Sequence, residues 1–134
     1  MSDPNLKYVL REMGPAAREF YRRLAAGRLA TTGCASCDVL RFPPLERCPS
    51  CGEPSVWREL SGRGVVHAFT QQERGLRFTA PAVLGVVELE EGVRVFGLLD
   101  APFESLSIGQ PVELDPLGDE PGLTLLAFRP RPDG

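Results

Sequence analysis

A chain of 134 residues, 43% hydrophobic and 25% charged, holds enough material for one buried core and little more. Its net charge of −3 is uneven. Residues 1–30 carry six Lys/Arg against three Asp/Glu, residues 31–63 four of each, and residues 64–134 five against eleven, so the acidic second half weighs against a nucleic-acid surface there. No window approaches the roughly 18 apolar residues of a membrane span. Residues 1–30 lack the uninterrupted apolar stretch of a secretory signal. The expected address is the cytoplasm, where thiols stay reduced.

In chain order, residues 5–13 (NLKYVLREM) read as a short helix that Gly14-Pro15 interrupts. Pro15 suits the first turn of a second helix, Pro15–Ala26, because a first-turn residue needs no N–H partner. Phe20, Tyr21 and Leu24 share one face of it, and Gly27 is the expected residue just past its end. The aromatics read as packing onto the rest of the protein.

All four cysteines follow within CASCDVLRFPPLERCPSCG, as two C-x2-C pairs ten residues apart. Disulfides need an oxidising compartment, which nothing here implies. A redox C-x-x-C needs one pair opening a helix, whereas Pro43, Pro44 and Pro49 break any local helix. Two knuckles that each offer two thiolates complete a tetrahedral zinc site, with Cys34, Cys37, Cys48 and Cys51 as ligands. Such a site has no open position for water, so it is structural rather than catalytic. Gly52 sits where a left-handed turn helps the second knuckle. Val39–Phe42 and Val56–Leu60 read as the ribbon's extended segments.

After Ser61-Gly62-Arg63-Gly64 the pattern changes to period two. Gly64–Gln71 sets Val65, His67 and Phe69 against Val66, Ala68 and Thr70. Ala82–Glu90 and Val93–Leu99 form a hairpin around Glu91-Gly92; Pro111–Asp115 and Leu123–Phe128 complete five strands. Five short strands with turn signals between them suit a small antiparallel barrel of the OB type. The stretch before Pro111 is too short and proline-rich for a long helix. Residues 129–134 read as a frayed tail. The expected division is residues 1–28 helical, 29–61 zinc ribbon, 62–130 barrel and 131–134 tail, a mainly β chain with N-terminal helices.

The single histidine, His67, reads as a barrel residue rather than a catalyst. Trp57 reads as a seam residue between ribbon and barrel. Arg63 stands between two glycines that permit close backbone approach, so it is a candidate phosphate contact. The barrel aromatics Phe69, Phe78, Phe96, Phe103 and Phe128 mostly read as core.

The order of Phe20-Tyr21, C-x-x-C, Phe42-Pro43-Pro44, C-P-x-C-G, Trp57, Ser61-Gly62-Arg63-Gly64 and Leu106-x-Ile108-Gly109 resembles the zinc-ribbon OB-fold proteins associated with acyl-CoA metabolism. The resemblance spans roughly residues 16–130. It implies N-terminal helices, a rubredoxin-like ribbon and an OB barrel. It further implies a non-catalytic accessory subunit that associates with a thiolase-like or other acyl-CoA enzyme and binds or positions the acyl-CoA. Carried over, the four cysteines bind zinc, and Phe42-Pro43-Pro44, Arg41 and Arg63 lie near the partner or CoA. Two positions depart from the family pattern. Asp38 stands where a glycine often follows the second cysteine. Leu45 stands where an arginine often follows the prolines, which leaves Arg41 or Arg47 to replace it. The competing class is an OB-fold nucleic-acid-binding module, which needs a basic groove with aromatic platforms.

Overall fold

The computed structural model describes residues 13–72, 82–119 and 123–132. The helix expected over 5–13 lies outside them except for Met13, which is not helical. Helix α1 spans Pro15–Ala25. Phe20 and Leu24, one turn apart, form its buried stripe, and Arg22 and Arg23 complement the dipole of its last turn. Gly27 at φ +82 ends it. The N–H of Gly27 donates to the Leu24 carbonyl and that of Arg28 to the Arg23 carbonyl, the paired bonds of a left-handed helix cap.

The ribbon is a three-stranded antiparallel sheet in the order β2-β1-β3, from β1 (Ala30–Cys34), β2 (Val39–Arg41) and β3 (Val56–Glu59). Strand β1 is buried along its whole length, so its polar residues must be satisfied internally. Helix α1 packs on this strand. Trp57 is half-buried and packs against the core cluster shared by helix, ribbon and barrel. Its ring lies under the Arg23 guanidinium, 4.8 Å from the centroid.

The second unit is a closed five-stranded barrel, ordered β10-β6-β5-β4-β7. Its strands are β4 (Arg63–Gln72), β5 (Ala82–Leu89), β6 (Arg94–Leu99), β7 (Pro111–Leu114) and β10 (Ala127–Pro130). Only the β6–β10 closure is parallel; the other barrel pairings are antiparallel, the OB arrangement. The lumen is filled by Val66, Val87, Val95, Val112 and Phe128, all essentially inaccessible. Each such side chain contributes about 1.5–3 kcal/mol on burial. A 3-10 turn, Phe103–Ser105, takes the place of a helix before β7.

Four sequence expectations need correction. The single strand expected over Leu123–Phe128 is two: β9 (Leu123–Leu125) pairs with an unforeseen β8 (Leu117–Asp119), and Leu126 turns the chain into β10. The supposed frayed tail is ordered through Arg131. Arg129 and Pro130 pair with β7, and the Arg131 N–H donates to the Pro111 carbonyl at 3.0 Å. The strict alternation of β4 breaks at a bulge between Val66 and Ala68. The extra residue, His67, is exposed, and Phe69 joins Val66 on the inner side. Finally, the barrel aromatics are not mostly core. Phe128 is, but Phe96 is 55% and Phe103 37% exposed, and Phe69 is half-buried; Phe78 lies outside the described residues.

Candidate metal centre and the ribbon–barrel cleft

The two knuckles are built alike. In the first, the Asp38 N–H donates to the Cys34 carbonyl at 2.7 Å; in the second, the Gly52 N–H donates to the Cys48 carbonyl at 2.8 Å. Each turn ends in a left-handed residue, Asp38 at φ 54 and Gly52 at φ 77. Asp38 therefore occupies a position that favours glycine, at a conformational cost that a short polar side chain reduces. The Cys37 N–H points back to the Cys34 sulfur at 3.4 Å.

These turns aim four sulfurs at one point. Cys34 and Cys51 Sγ are 3.5 Å apart, Cys37 and Cys48 Sγ 3.9 Å, and all four lie within 4.8 Å of one another. Tetrahedral zinc with Zn–S of about 2.3 Å requires sulfur–sulfur separations of about 3.8 Å. The donor set therefore fits zinc. Protonation of the metal-free thiols points the same way. Backbone N–H groups of Cys51 and Ser50 lower the Cys48 thiol to about 6. Hydrogen bonding with Cys34, Cys51 and Cys48 pushes Cys37 up to about 12. Sulfurs this crowded cannot all ionise without a cation among them.

The loop between the knuckles is held from below by the two buried polar residues of the core. The Thr31 hydroxyl donates to the Arg41 carbonyl, and the Leu45 N–H donates to Thr32 Oγ1 at 2.8 Å. Phe42 packs edge-on against Phe20, centroids 5.6 Å apart, ahead of a cis Phe42–Pro43 bond. So fixed, the loop forms one wall of a cleft of about 540 Å³, through Leu40, Arg41, Phe42, Pro43 and Leu45. The turn of the β5–β6 hairpin forms the other, through Glu88, Gly92, Val93 and Arg94.

The structure thus brings Arg41, Phe42 and Pro43 together at one cleft and leaves Pro44 and Arg63 outside its lining. Arg63 is paired with Glu90, Nε to Oε1 at 3.3 Å. Its flanking glycines serve the chain itself. Gly62 needs φ +77, and Gly64 lies against the backbone of Glu88. Arg47 is turned to the second knuckle, where it donates to the Gly52 carbonyl at 2.9 Å. Sequence reasoning missed Glu88, Val93 and Arg94. The hairpin was visible in the pattern, but its apposition to the ribbon had no local signal.

Comparison with known proteins agrees with this architecture. Two family models match: the ChsH2 rubredoxin-like zinc ribbon domain over residues 22–56, and the ChsH2 C-terminal OB-fold domain over residues 57–115. A DUF35 domain-containing scaffold protein of Methanocaldococcus jannaschii is 32% identical over 114 residues, 81% of this chain and 80% of that protein. A probable enoyl-CoA hydratase alpha subunit of Thermomonospora curvata is 40% identical over 108 residues, 77% of this chain; the chain spans only 34% of that protein. The benzoylsuccinyl-CoA thiolase subunit BbsA of Thauera aromatica is 34% identical over 85 residues, 60% of this chain and 58% of that subunit. Among solved structures, a chain of the Ltp2-ChsH2(DUF35) aldolase superposes with a TM-score of 0.79 at 33% identity, covering 89% of this chain and 97% of that one. The chain belongs to the DUF35 family of ChsH2-type proteins, a rubredoxin-like zinc ribbon joined to an OB-fold barrel.

Proposed function

We propose that this chain is a non-catalytic accessory subunit that associates with a thiolase-like or other acyl-CoA enzyme and helps position the acyl-CoA. The observation that carries this reading is a division of labour within the ribbon. Its four sulfurs converge on a closed centre with no place for substrate, while the loop they hold forms a cleft with an arginine and an apolar wall. Relatives named as a scaffold protein, a thiolase subunit and a hydratase alpha subunit support it, as does the aldolase likeness.

In this reading Cys34, Cys37, Cys48 and Cys51 hold zinc, which supplies cross-linking of the ribbon. Thr31 and Thr32 fix the loop, and Arg41, Phe42 and Pro43 face the ligand or partner. Arg63 lies outside the lining of the cleft, so it keeps a place only as part of a partner surface. Affinity recovery of the tagged chain from its host, with mass spectrometry, tests the proposal. Specific recovery of an acyl-CoA enzyme is expected; recovery of nucleic acid or ribosomal proteins instead would overturn it.

One observation favours the second reading, an OB-fold nucleic-acid binder: Phe96 and Phe103 present exposed rings on the barrel. Charge opposes it, with five Lys/Arg against eleven Asp/Glu over residues 64–134. Retention on single-stranded DNA at low salt, lost steeply as salt rises, would support the binder.

A further inference from the structure

We infer that Cys51 is a peroxide-sensitive modification site: it is oxidised first among the four sulfurs, Cys34 closes a disulfide with it, and the centre gives up its metal. The inference goes beyond the accessory-subunit reading and does not rest on it.

The first ground is unequal access. Cys51 is exposed and Cys37 half-buried, whereas Cys34 and Cys48 are only 2% and 3% exposed. As zinc ligands all four sulfurs are thiolates. Thiolate character therefore does not choose among them, and reach does: a small oxidant arriving from solvent meets Cys51 first.

The second ground is the charge around Cys51. Arg41 Nη2 donates to the Ser50 hydroxyl at 3.2 Å, and Arg47 Nη1 donates to the Gly52 carbonyl at 2.9 Å. A guanidinium is thus fastened to the residue on each side of this cysteine. Neither guanidinium has an ion-pair partner among the described residues. An accessible sulfur in a positive field is the environment of a reactive cysteine.

Third, a resolving sulfur is in place. Cys34 Sγ lies 3.5 Å from Cys51 Sγ, nearer than the 3.9 Å between Cys37 and Cys48. The chemistry balances with hydrogen peroxide as the oxidant. The Cys51 thiolate attacks one peroxide oxygen; an S–O bond forms, the O–O bond breaks and hydroxide leaves, so sulfur loses two electrons and peroxide gains them. The Cys34 thiolate then attacks the Cys51 sulfur; an S–S bond forms, the S–O bond breaks and a second hydroxide leaves. Half of the donor set is gone, and thiol reductants restore it. Cys34 ends β1, and Cys48 and Cys51 anchor the far end of the loop that carries Phe42, Pro43 and Leu45, so metal loss frees the ribbon's wall of the cleft.

Treatment of the zinc-loaded full chain with hydrogen peroxide tests this, with a chromophoric chelator reading the metal and peptide mass spectrometry reading the sulfurs. With a cyclic 1,3-diketone present to trap sulfenic acid, the first adduct is expected on Cys51. Without the trap, a disulfide joining tryptic peptides 29–41 and 48–58 is expected, assigned to Cys34 and Cys51 by fragmentation. Zinc release should keep pace with that disulfide and reverse on addition of dithiothreitol and zinc. These readouts use the unsubstituted chain, so none depends on a cysteine variant that fails to fold. Arg47→Gln should slow release about threefold, the effect of one nearby surface charge. Arg129→Gln, a surface arginine paired with Glu113 and Asp115, should leave the rate unchanged. A first adduct on Cys34, Cys37 or Cys48, or a disulfide of any other pairing, would overturn the inference. Equal rates in the two arginine variants would overturn it as well, as would zinc that stays bound while glutathione in the same solution is oxidised.

Discussion

Replacing Gly64 by alanine distinguishes a ligand-binding role for the Ser61-Gly62-Arg63-Gly64 junction from a packing role. A Cβ at Gly64 would sit 2.3 Å from the Glu88 carbonyl oxygen, 2.9 Å from its carbon and 3.0 Å from Leu89 Cα. The first is 1.1 Å short of the 3.4 Å at which ordinary contact begins. All three atoms are backbone, and β5 is hydrogen-bonded on its far side to β6, so it cannot retreat without disturbing a second pairing. Strand β4 is likewise held by β7 at Gly64↔Val112. We expect the top of the overpacking range, about 3 kcal/mol of lost stability. For a chain of this size that lowers the melting temperature by about 10 °C. Urea unfolding followed by far-ultraviolet circular dichroism reads the effect. Two controls share the chemistry. Gly92→Ala meets no atoms but sits at φ +87, so it should cost about 1–2 kcal/mol. Gly118→Ala meets no atoms and has no left-handed φ, so it should be neutral or stabilising by up to about 1 kcal/mol. Equal stability of Gly64→Ala and Gly118→Ala would refute the reasoning and return Gly64 to the list of residues kept for a ligand.

Three further outcomes are expected. Chelation of zinc, or Cys51→Ser, should abolish hydrogen-exchange protection in β1–β3 while the barrel keeps its own, because its five strands close on one another through their own pairings; unchanged ribbon protection after measured zinc loss would contradict this. Asp38→Gly should stabilise by about 0.5 kcal/mol and Asp38→Val destabilise by about 1–2 kcal/mol, since φ 54 strains a β-branched residue most, both read from urea midpoints. Glu19 is held down at about 2 by hydrogen bonds from Arg22 and Arg23. Because its folded value lies below the ordinary 4.5, its contribution is complete above about 4.5 and fades as pH falls toward about 2. Glu19→Gln should therefore narrow its stability gap from the wild type across that window, and a gap independent of pH would contradict the assignment.

The metal centre was the most legible part of the sequence, because two C-x2-C pairs carry their geometry in their spacing. The left-handed residue that closes each knuckle was foreseen at Gly52. Its counterpart at Asp38 was visible only as a departure from the family pattern, and the backbone supplies the reason. Strands β4, β5 and β6 were read from alternation to within a residue or two, yet the alternation misassigned faces. One bulge after Val66 turns Phe69 inward and exposes His67, and Phe96 alternates with the inward Val95 onto the outer surface. The β8–β9 pairing was hidden by a Pro- and Gly-rich stretch that reads as loop. The cleft was half legible. The ribbon contributed a local motif, Arg41-Phe42-Pro43, whereas Glu88, Val93 and Arg94 arrive only through tertiary packing. Arg63 was singled out for glycines that turn out to serve a tight turn and a strand contact.

The central claim is that this chain acts through another enzyme. It is tested most directly by reconstitution: the acyl-CoA enzyme recovered with it is assayed alone, with this chain, and beside this chain on its own. The account predicts no turnover by the isolated chain and a rise in the enzyme's rate, or a fall in its KM for the acyl-CoA, when the two are combined. Acyl-CoA turnover by the isolated zinc-loaded chain would contradict it.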